Sequence, residues 1–416
     1  MPRSSDSGGG RKPTVPAAVG AESATERTRA DETRLVGLAR DGDHRAFGEL
    51  AGAYRAELRA HCYRMTGSLA DAEDALQEGL LRAWRGLAGF EGRGSVRSWL
   101  YAIVTNATLD LARKRSRREL PVSCCPAAHA GSDFDPPLTE QPWLDPYPDA
   151  WLGADARLSP EARYEQRESV ELAFLIALQH LPASQRAVLL LREVVGFSTA
   201  EIATQLSTTA ASVNSALQRA RAAVRDRLPA TSQQSALRAL GDERTRALIR
   251  RYADALERGD ADTLISMLTR DASWSMPPLP TWYRGHKAVR QFLVSAPLTY
   301  HWRHLPTRAN GQLAVGCYLL DRANGKYVPS VIDVLTLDGA KIAAVTAFLA
   351  AQVSTELPPA TSHPGRGGAW INGEELFSRF GLPVELAGAS EASPARRSAP
   401  GGADPSGGHD QAYARR

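Results

Sequence analysis

The stretch from residue 181 to residue 228 constrains this chain most, because it divides into three short helices at defined points. The first helix is predicted from about Ala183 to Val195 and ends at Gly196, a residue that readily takes the left-handed conformation of a helix terminus. Ser198 and Glu201 have the spacing of a capping box at the start of the second helix. The third helix has an apolar stripe with spacings of three and four: Val213, Ala216, Leu217, Ala220, Val224 and Leu228.

The side of the third helix opposite this stripe has the chemistry of a DNA-reading surface. Hydroxyl, amide and guanidinium groups read base edges and hold phosphates when a helix lies in the major groove. The residues on this face are Ser212, Asn214, Ser215, Gln218, Arg219 and Arg225. The pattern favours a helix-turn-helix, and the alternative is a three-helix bundle whose basic face is only solvated.

Composition excludes several classes of protein. The 416 residues are 43% hydrophobic and 23% charged with a net charge of +4, so a nucleic-acid surface must come from local clusters of charge. No apolar run has the length of a membrane span and no signal peptide is evident, so we expect a cytoplasmic protein with no membrane partner. The cysteines form no CxxC pair, and we expect no metal, cofactor or disulfide framework: Cys62, Cys124, Cys125 and Cys317.

Residues 31–118 have a strongly helical pattern that includes an acidic helix. Ser68 can cap this helix, and acidic residues in its first turn suit the helix dipole. One face is apolar, and the other bears Asp71, Asp74, Gln77 and Glu78. That polar face is either solvated or a docking surface for a basic or polar partner.

A glycine-containing loop at residues 90–95 leads into a helix that ends in a basic run at residues 113–118. Aromatic residues beside a basic helix end suit melted DNA, whose bases can stack on aromatic faces. The alternative is that Trp99 and Tyr101 belong to the core and the basic run is solvated, and for Trp99 we favour the core. Five cations in six residues repel one another unless an anion is near, so we favour a phosphate contact for the run.

Residues 119–165 form a predicted linker rich in proline, glycine and aspartate. Its segment at residues 141–148 reads QPWLDPYP, and two aromatic side chains in such a short extended stretch predict docking on another surface of the protein. The helical pattern resumes and continues to residue 228, giving a second helical domain at 166–228. A short polar connector follows at residues 229–242.

The motifs DAEDALQE, FEGRGSVRSWLYAIVTNATLDLARKRSRR and LPASQRAVLLLREVVGFSTAEIATQLSTTAASVNSALQRARAAV occur in this order. In this order the chain resembles the extracytoplasmic-function (ECF) sigma factors of bacterial RNA polymerase. The resemblance implies an all-α sigma region 2 at residues 31–118 and an all-α region 4 helix-turn-helix at residues 166–228. It also implies two partners, promoter DNA and the clamp and flap of core RNA polymerase.

The resemblance assigns residues to each of these contacts. The polymerase clamp would meet Asp71, Asp74 and Gln77. The melted −10 strand would meet Arg93, Gly94, Ser95, Asn106, Arg113, Lys114 and Arg115. The −35 duplex would meet the six polar residues of the third helix. Two departures from the family pattern, Ser207 where glycine is usual and Asn214 where lysine is frequent, leave the fold unaffected and bear on the −35 preference.

Residues 242–351 show a different pattern, in which helices precede strands that alternate by two. Asp338 and Gly339 form a hairpin signal, and the order of elements predicts an α+β cone. The segment resembles SnoaL-like polyketide cyclases, which implies a cavity. Candidate pocket residues are Trp274, Trp282, Tyr283, His286, Tyr318 and Asp333. Asp333 on an apolar strand is the most unusual, since a buried carboxylate is costly, whereas His286 beside a glycine is more often a turn residue.

Some ECF sigma factors carry such an extension as a module that regulates in cis, and the Trp143–Pro148 segment resembles the linker motif that accompanies it. We therefore expect a non-enzymatic cone that packs on the helical part and binds a small hydrophobic ligand. A C-terminal extension at residues 352–387 contains a short helix with Trp370, Leu376, Phe377 and Phe380 that would cap the cone. Residues 1–30 and 388–416 are predicted to be disordered tails.

Two other functions fit parts of this pattern. One is a ligand-sensing helix-turn-helix regulator that makes no clamp contact, in which substitution of Asp74 and Gln77 leaves polymerase binding unchanged. The other is a cyclase or isomerase fused to a DNA-binding module, in which Asp333→Asn abolishes turnover.

Overall fold

A computed structural model describes residues 30–92, 94–132, 134–138, 141–152, 160–350 and 372–388. The predicted tails lie almost entirely outside these ranges, as do Arg93 and Trp370. We call residues 30–118 the first module, residues 160–228 the second module and residues 242–350 the cone. In the described part of the chain, no helix is long and apolar enough to cross a membrane.

The first module is a bundle of five helices. They are α1 (30–40), α2 (His44–Gly52), α3 (Arg55–Thr66), α4 (Leu69–Gly86) and α5 (Val96–Ala112). Ser68 caps α4 as predicted, its hydroxyl accepting from the Asp71 amide. Helices α4 and α5 pack closely at Gly79, where a Cβ atom would lie 2.7 Å from Val104 Cγ2. A side chain at Gly79 would therefore force apart the two helices that carry the predicted polymerase and −10 surfaces.

The second module contains the predicted helix-turn-helix. Its helices are α7 (Pro160–Glu168), α8 (Leu172–Gln179), α9 (Ala183–Leu189), α10 (Thr199–Gln205) and α11 (Ala210–Arg225), the short α6 (Pro121–Cys124) lying in the linker. Helix α9 continues as a π turn to Val194, and Gly196 follows with φ +87°. Ser198 and Glu201 form the expected capping box, and Ser207 takes φ +49° in the turn where glycine is usual.

The apolar stripe of α11 is confirmed with one correction. Val213, Leu217, Ala220 and Val224 are buried against the other helices of the second module. Leu228 was expected on this stripe, but it lies beyond the end of the helix at Arg225 and is 38% exposed.

The connector between the second module and the cone is a helix rather than a plain polar link. Helix α12 (Gln233–Leu240) buries both Gln233 and Gln234. The Gln233 side chain brackets strand residue Leu337, accepting from its amide and donating to its carbonyl at 2.7 and 3.0 Å. The polar composition predicted an exposed connector, but both side chains can be buried because backbone groups satisfy their hydrogen bonds.

The cone is the predicted α+β fold. Its elements are α13 (Asp242–Glu257), α14 (Ala261–Met267), β1 (Leu268–Ser275), β2 (Trp282–Arg284), α15 (Gly285–Ser295), β3 (Trp302–Ala309), β4 (Gln312–Asp321), β5 (Lys326–Asp338) and β6 (Lys341–Leu349). The sheet order is β2-β1-β6-β5-β4-β3, with β1 and β6 parallel and the other neighbours antiparallel. Gly339 turns between β5 and β6 with φ +57°, as the Asp-Gly signal predicts.

The two faces of this sheet belong to different cores. Val331 and Leu335 of β5 face a core inside the cone, whereas Ile332 and Val334 join a core that continues into both helical modules. The C-terminal helix α16 (Gly373–Arg379) packs its Leu376 and Phe377 on this second face, and β7 (Leu386–Ala387) pairs with β5. The predicted C-terminal helix is therefore present, but it covers the outer face of the sheet.

Candidate nucleic-acid interface

The DNA-reading face of α11 is open. All six predicted residues, Ser212, Asn214, Ser215, Gln218, Arg219 and Arg225, are exposed. Thr209 caps the helix by accepting from the Ser212 amide at 3.1 Å, which fixes the N-terminal turn from which these side chains project. Within the same helix, Arg221 forms an ion pair with Glu193 of the π turn that continues α9. Arg219 and Arg225 have no carboxylate partner in the described part of the chain, so their guanidinium groups are available to an anion.

The predicted −10 face of α5 contacts the second module. Asn106 stays partly exposed, but its Nδ2 donates to the Gln205 carbonyl at 3.1 Å. Gln205 Nε2 in turn donates to Ser98 Oγ at 2.9 Å. Ser95 caps α5 through the Ser98 amide, and Gly94 is exposed beside it. The end of α10 thus occupies the side-chain amide of Asn106, which the resemblance assigns to the melted −10 strand, and also Ser98, which was not predicted.

The aromatic residues of α5 lie where the core interpretation placed them. Tyr101 is buried, and Trp99 is half-buried with its ring 4.9 Å from that of Phe90. A cleft of about 320 Å³ remains between this pair and the second module, bordered by Ser98 and Gln205. Strand capture on these aromatic faces requires that cleft to open.

The basic run at residues 113–118 has anions within the chain itself. Arg113 contacts Asp110 at 2.9 Å, and Arg118 and Arg115 contact Asp71 at 2.6 and 3.5 Å. The argument that only a phosphate could offset the repulsion within the run is therefore wrong, because carboxylates of this chain offset it. The phosphate contact itself stays a prediction. Lys114 is exposed and has no carboxylate partner among the described residues, which makes it the run's most available cation.

The acidic face of α4 differs from the prediction at one position. Asp71 is only 4% exposed and lies against Arg118, so it is not part of an open docking surface. Asp74 and Gln77 are exposed as expected. Leu81 lies seven residues after Asp74 on the same side of the helix and is 50% exposed. Sequence reasoning missed Leu81, although an apolar residue in register with a polar face was a usable signal.

A hairpin of the cone contacts both helical modules and the linker. Asn310, in the turn between β3 and β4, is fully buried with φ +56°. Its Nδ2 donates to Tyr63 Oη of the first module at 3.2 Å and to the Val170 carbonyl of the second module at 2.9 Å. Its Oδ1 accepts from the Tyr147 amide of the linker at 2.9 Å, and its own amide donates to the Tyr147 carbonyl.

Neighbouring contacts reinforce this hairpin junction, which we call the Asn310 junction. Gly311 donates its amide to Asp149 Oδ1 at 2.7 Å, and Gln312 Oε1 accepts from the Leu172 amide at 3.0 Å. Tyr147 is completely buried, which confirms that the aromatic linker segment docks on a surface of the protein. The junction itself was missed, although Asn-Gly between two apolar runs is a strong hairpin signal.

A buried glutamate ties the second module to the connector. Glu171 accepts from the backbone amides of Gln233 and Gln234 at 3.0 and 2.9 Å, at the start of α12. Burial raises the pKa of Glu171 to about 7, and the two amide donors oppose that rise. The contact helps fix the second module against the cone.

The cone encloses an apolar cavity of about 90 Å³. Trp274 and Asp333 border it, as predicted, together with His304 and Cys317. Tyr252 Oη donates to Asp333 Oδ2 at 2.8 Å. Burial raises the pKa of Asp333 to about 6, while Tyr252 and the nearby His304 hold that pKa down.

The other four predicted pocket residues lie elsewhere. Tyr318 faces the outer core and donates to the Pro383 carbonyl at 2.8 Å, because alternation along β4 points its neighbour Cys317 inward instead. Trp282 and Tyr283 contact the linker through Cys125 and Ser132. His286 lies in the first turn of α15 after Gly285, whose φ is +80°, in keeping with the turn interpretation.

Comparison with known proteins agrees with this architecture. Family models match residues 50–118 (Sigma-70 region 2), residues 171–224 (Sigma-70, region 4) and residues 249–370 (SnoaL-like domain). The ECF RNA polymerase sigma factor SigG of Mycobacterium tuberculosis is 40% identical over 366 residues, which cover 86% of this chain and 87% of SigG. This chain belongs to the ECF RNA polymerase sigma factors.

One further relative, for which a crystal structure is also known, has the same family name. SigJ of Mycobacterium tuberculosis is 27% identical over 60% of this chain and 72% of its own length. A crystal structure of SigJ aligns with a TM-score of 0.46 and 24% identity, covering 71% of this chain and 94% of that chain. The predicted resemblance and fold class are confirmed, and family membership rules out a regulator that is not a sigma factor.

Proposed function

We propose that this sigma factor binds core RNA polymerase and promoter DNA in two stages that its cone controls in cis. Helix α11 reads the −35 duplex, and the face of α5 takes the melted −10 strand after the second module leaves it. The observation that carries the proposal is a pair of hydrogen bonds, in which Asn106 Nδ2 donates to the Gln205 carbonyl and Gln205 Nε2 donates to Ser98 Oγ. These contacts support the proposal because they join the second module to the α5 face that we assign to the −10 strand.

The polymerase contact is assigned to the exposed side of α4. Asp74 and Gln77 offer a carboxylate and an amide, and Leu81 adds an apolar contact between them and the helix end. Asp71 supports this surface from behind, because its ion pair with Arg118 fixes α4 against the segment that follows α5. The second module would contact the polymerase flap.

The regulatory role of the cone is supported by the Asn310 junction. One buried amide side chain bonds the first module, the linker and the second module at the same time. A buried amide that loses its partners costs roughly 1–3 kcal/mol, so this arrangement resists separation of the modules. We further propose that a small hydrophobic ligand occupies the cone cavity, and that residues 31–118, 166–228 and 242–351 are the functional domains.

Runoff transcription with bacterial core RNA polymerase tests the main proposal. Full-length protein should co-elute with the core enzyme and start RNA at defined positions. The double variant Asp74→Ala/Gln77→Ala should weaken co-elution about tenfold or more, because interface polar contacts near an apolar anchor contribute several kcal/mol together. Glu49→Ala is the matched control, since Glu49 is an exposed acid on α2, outside this surface. Equal co-elution of all three proteins would remove α4 from the interface.

A further inference from the structure

Part of the linker forms one wall of the cone cavity. This strap, residues 125–132 with 134 and 135, runs along β2 and the loop before it. Its Ala128 amide donates to the Trp282 carbonyl at 2.8 Å, and its Asp135 amide donates to Thr281 Oγ1 at 2.8 Å. Trp282 Nε1 donates back to the Cys125 carbonyl at 2.9 Å. The strap is thus attached to the cone by several hydrogen bonds, each of modest net strength.

The strap inserts an aromatic ring into the cavity wall. Phe134 borders the cavity, and its ring lies 6.0 Å from that of Phe292 in an edge-on arrangement. The remaining space of about 90 Å³ is smaller than the roughly 150 Å³ apolar cavity that is known to admit benzene. Withdrawal of the Phe134 ring adds a ring-sized volume, which brings the cavity to the size that is known to admit a ring.

The walls define the chemistry of the occupant. Trp274, Met276 and Leu279 make the lining overwhelmingly apolar. The Asp333 carboxyl, fixed by Tyr252, is the polar group that meets this lining from the sheet, with His304 beside it. An apolar ring with one hydroxyl group satisfies both features, because a hydroxyl both donates and accepts.

We propose that the cone binds a small apolar molecule of one or two rings bearing a single hydroxyl group, and that this molecule replaces the Phe134 ring and releases the strap. The ligand is held by the apolar walls and by a hydrogen bond to Asp333. Release of the strap changes the position of this part of the linker and leaves the fold of the cone unchanged.

The path from the strap to the first module is short. Residues 119 and 143 form a β-bridge, so residues 120–142 are a loop that leaves the first module and returns to it. Arg118, adjacent to this bridge, donates to the Trp143 carbonyl at 2.8 Å and pairs with Asp71 of α4. Strap release therefore acts beside the proposed polymerase surface. This effect on the polymerase surface rests on the proposed function, and the ligand class refines the ligand proposed there for the cone cavity, whereas strap release is independent of it.

Hydrogen exchange and calorimetry on the full-length chain with p-cresol as the probe test the proposal. Addition of p-cresol should increase exchange at the Ala128 and Asp135 amides at least fivefold. Phe134→Ala should bind p-cresol about tenfold more tightly, because the competing ring is gone. Leu138→Ala is the matched control, since Leu138 is an exposed apolar residue of the same linker. Toluene, which lacks the hydroxyl, should bind about tenfold more weakly than p-cresol.

Two variants keep the test decisive if Phe134→Ala folds poorly. Phe134→Leu should show the same change to a smaller degree, and Ala347→Leu, which fills the cavity from β6, should abolish p-cresol binding. The proposed replacement of the Phe134 ring would be overturned if p-cresol binds without changing amide hydrogen exchange in the strap and both Phe134 variants bind it with the affinity of the wild type. No binding to any variant would overturn the ligand class. Neither readout involves transcription, so either failure is distinguishable from failure of the proposed regulation.

Discussion

The two predicted DNA-reading surfaces of this sigma factor differ in how far they are exposed. The face of α11 is open along its whole length, whereas Asn106 and Ser98 of α5 are hydrogen-bonded to Gln205 at the end of α10. The same second module therefore presents its own recognition helix to solvent while it occupies part of its neighbour's surface. Under the proposed function, this difference corresponds to an order of events in which duplex is read before the melted strand is captured.

The second module must lose several contacts before α5 becomes free. The hydrogen bonds between Gln205 and α5 are few, but Tyr101 of α5 also packs against Phe197 of the second module, with ring centroids 5.4 Å apart. The Asn310 junction is fully buried and joins three parts of the chain. We propose that this junction restrains the release of the second module from α5.

The largest effect is expected from removal of the Asn310 side chain. Asn310→Gly keeps the positive φ of the turn but deletes the amide, so it should lower the free energy of unfolding by roughly 2–4 kcal/mol. Binding of a −10 single strand by the holoenzyme should rise about tenfold, because the second module is less firmly held. Fluorescence anisotropy with a labelled −10 oligonucleotide measures this.

The matched control is Asn324→Ala. Asn324 lies in the exposed hairpin between β4 and β5, where it bonds Asp321. Strand binding by this variant should equal that of the wild type. Loss of stability in Asn310→Gly without any gain in strand binding would show that the junction does not restrain the −10 surface.

The substitution Asp333→Asn inside the cone tests whether a change in the stability of the cone is enough to expose the predicted −10 surface. The folded-state pKa of Asp333 is about 6, above its ordinary value, so its contribution to stability is fully present below about pH 4 and is lost as pH rises through 6. The groups that face it are Tyr252, His304 and Cys317. Asp333→Asn should remove roughly 3 kcal/mol of this pH dependence between pH 4 and 7.

Chemical denaturation across that pH range, with Asp338→Asn as the control at the exposed end of the same strand, measures the effect. The control should keep the wild-type slope. At pH 7 the Asp333→Asn cone should be the more stable, and strand binding should not increase. Increased strand binding would mean that the cone acts through its interior and not through the Asn310 junction.

The open surface has its own test in Arg219. Arg219→Ala should weaken −35 duplex binding by roughly 1–3 kcal/mol while leaving −10 strand binding unchanged. Arg221→Ala is the control, because Arg221 on the same helix is paired with Glu193. The test measures the affinity of the holoenzyme for the −35 duplex with each of the two variants. Equal losses would indicate general charge attraction and not a reading face.

The features that could be predicted from the sequence, like the α11 face, are those that depend on residues close together in the chain. The α11 face follows from local periodicity, and capping by Ser198 and Glu201 follows from residues three apart. Both depend on neighbours in the chain, so the structure agrees with them. The two cores of the sheet also agree with alternation, but Tyr318 was assigned to the wrong face because its register was unknown.

The features that were missed depend on distant residues. Asp71 was expected on an open surface, but it meets Arg118, 47 positions away in sequence. Asn310 meets Tyr63, 247 positions away. Helical spacing carries no information about such pairs, since it describes only the face of one element. Composition likewise misjudged the connector, whose Gln233 is polar and buried because backbone groups satisfy it.

The smallest effect concerns the basic run beside the −10 surface. Lys114→Ala should reduce the salt dependence of strand binding by roughly 0.7 in the slope of log affinity against log salt, the value of one phosphate contact on a single strand. Arg113→Ala should reduce it less, because Arg113 is already paired with Asp110. Titrations at several salt concentrations with the holoenzyme separate the two. An unchanged slope for Lys114→Ala would leave the run as a structural partner of Asp71 and Asp110, and strand capture would then depend on the α5 face alone.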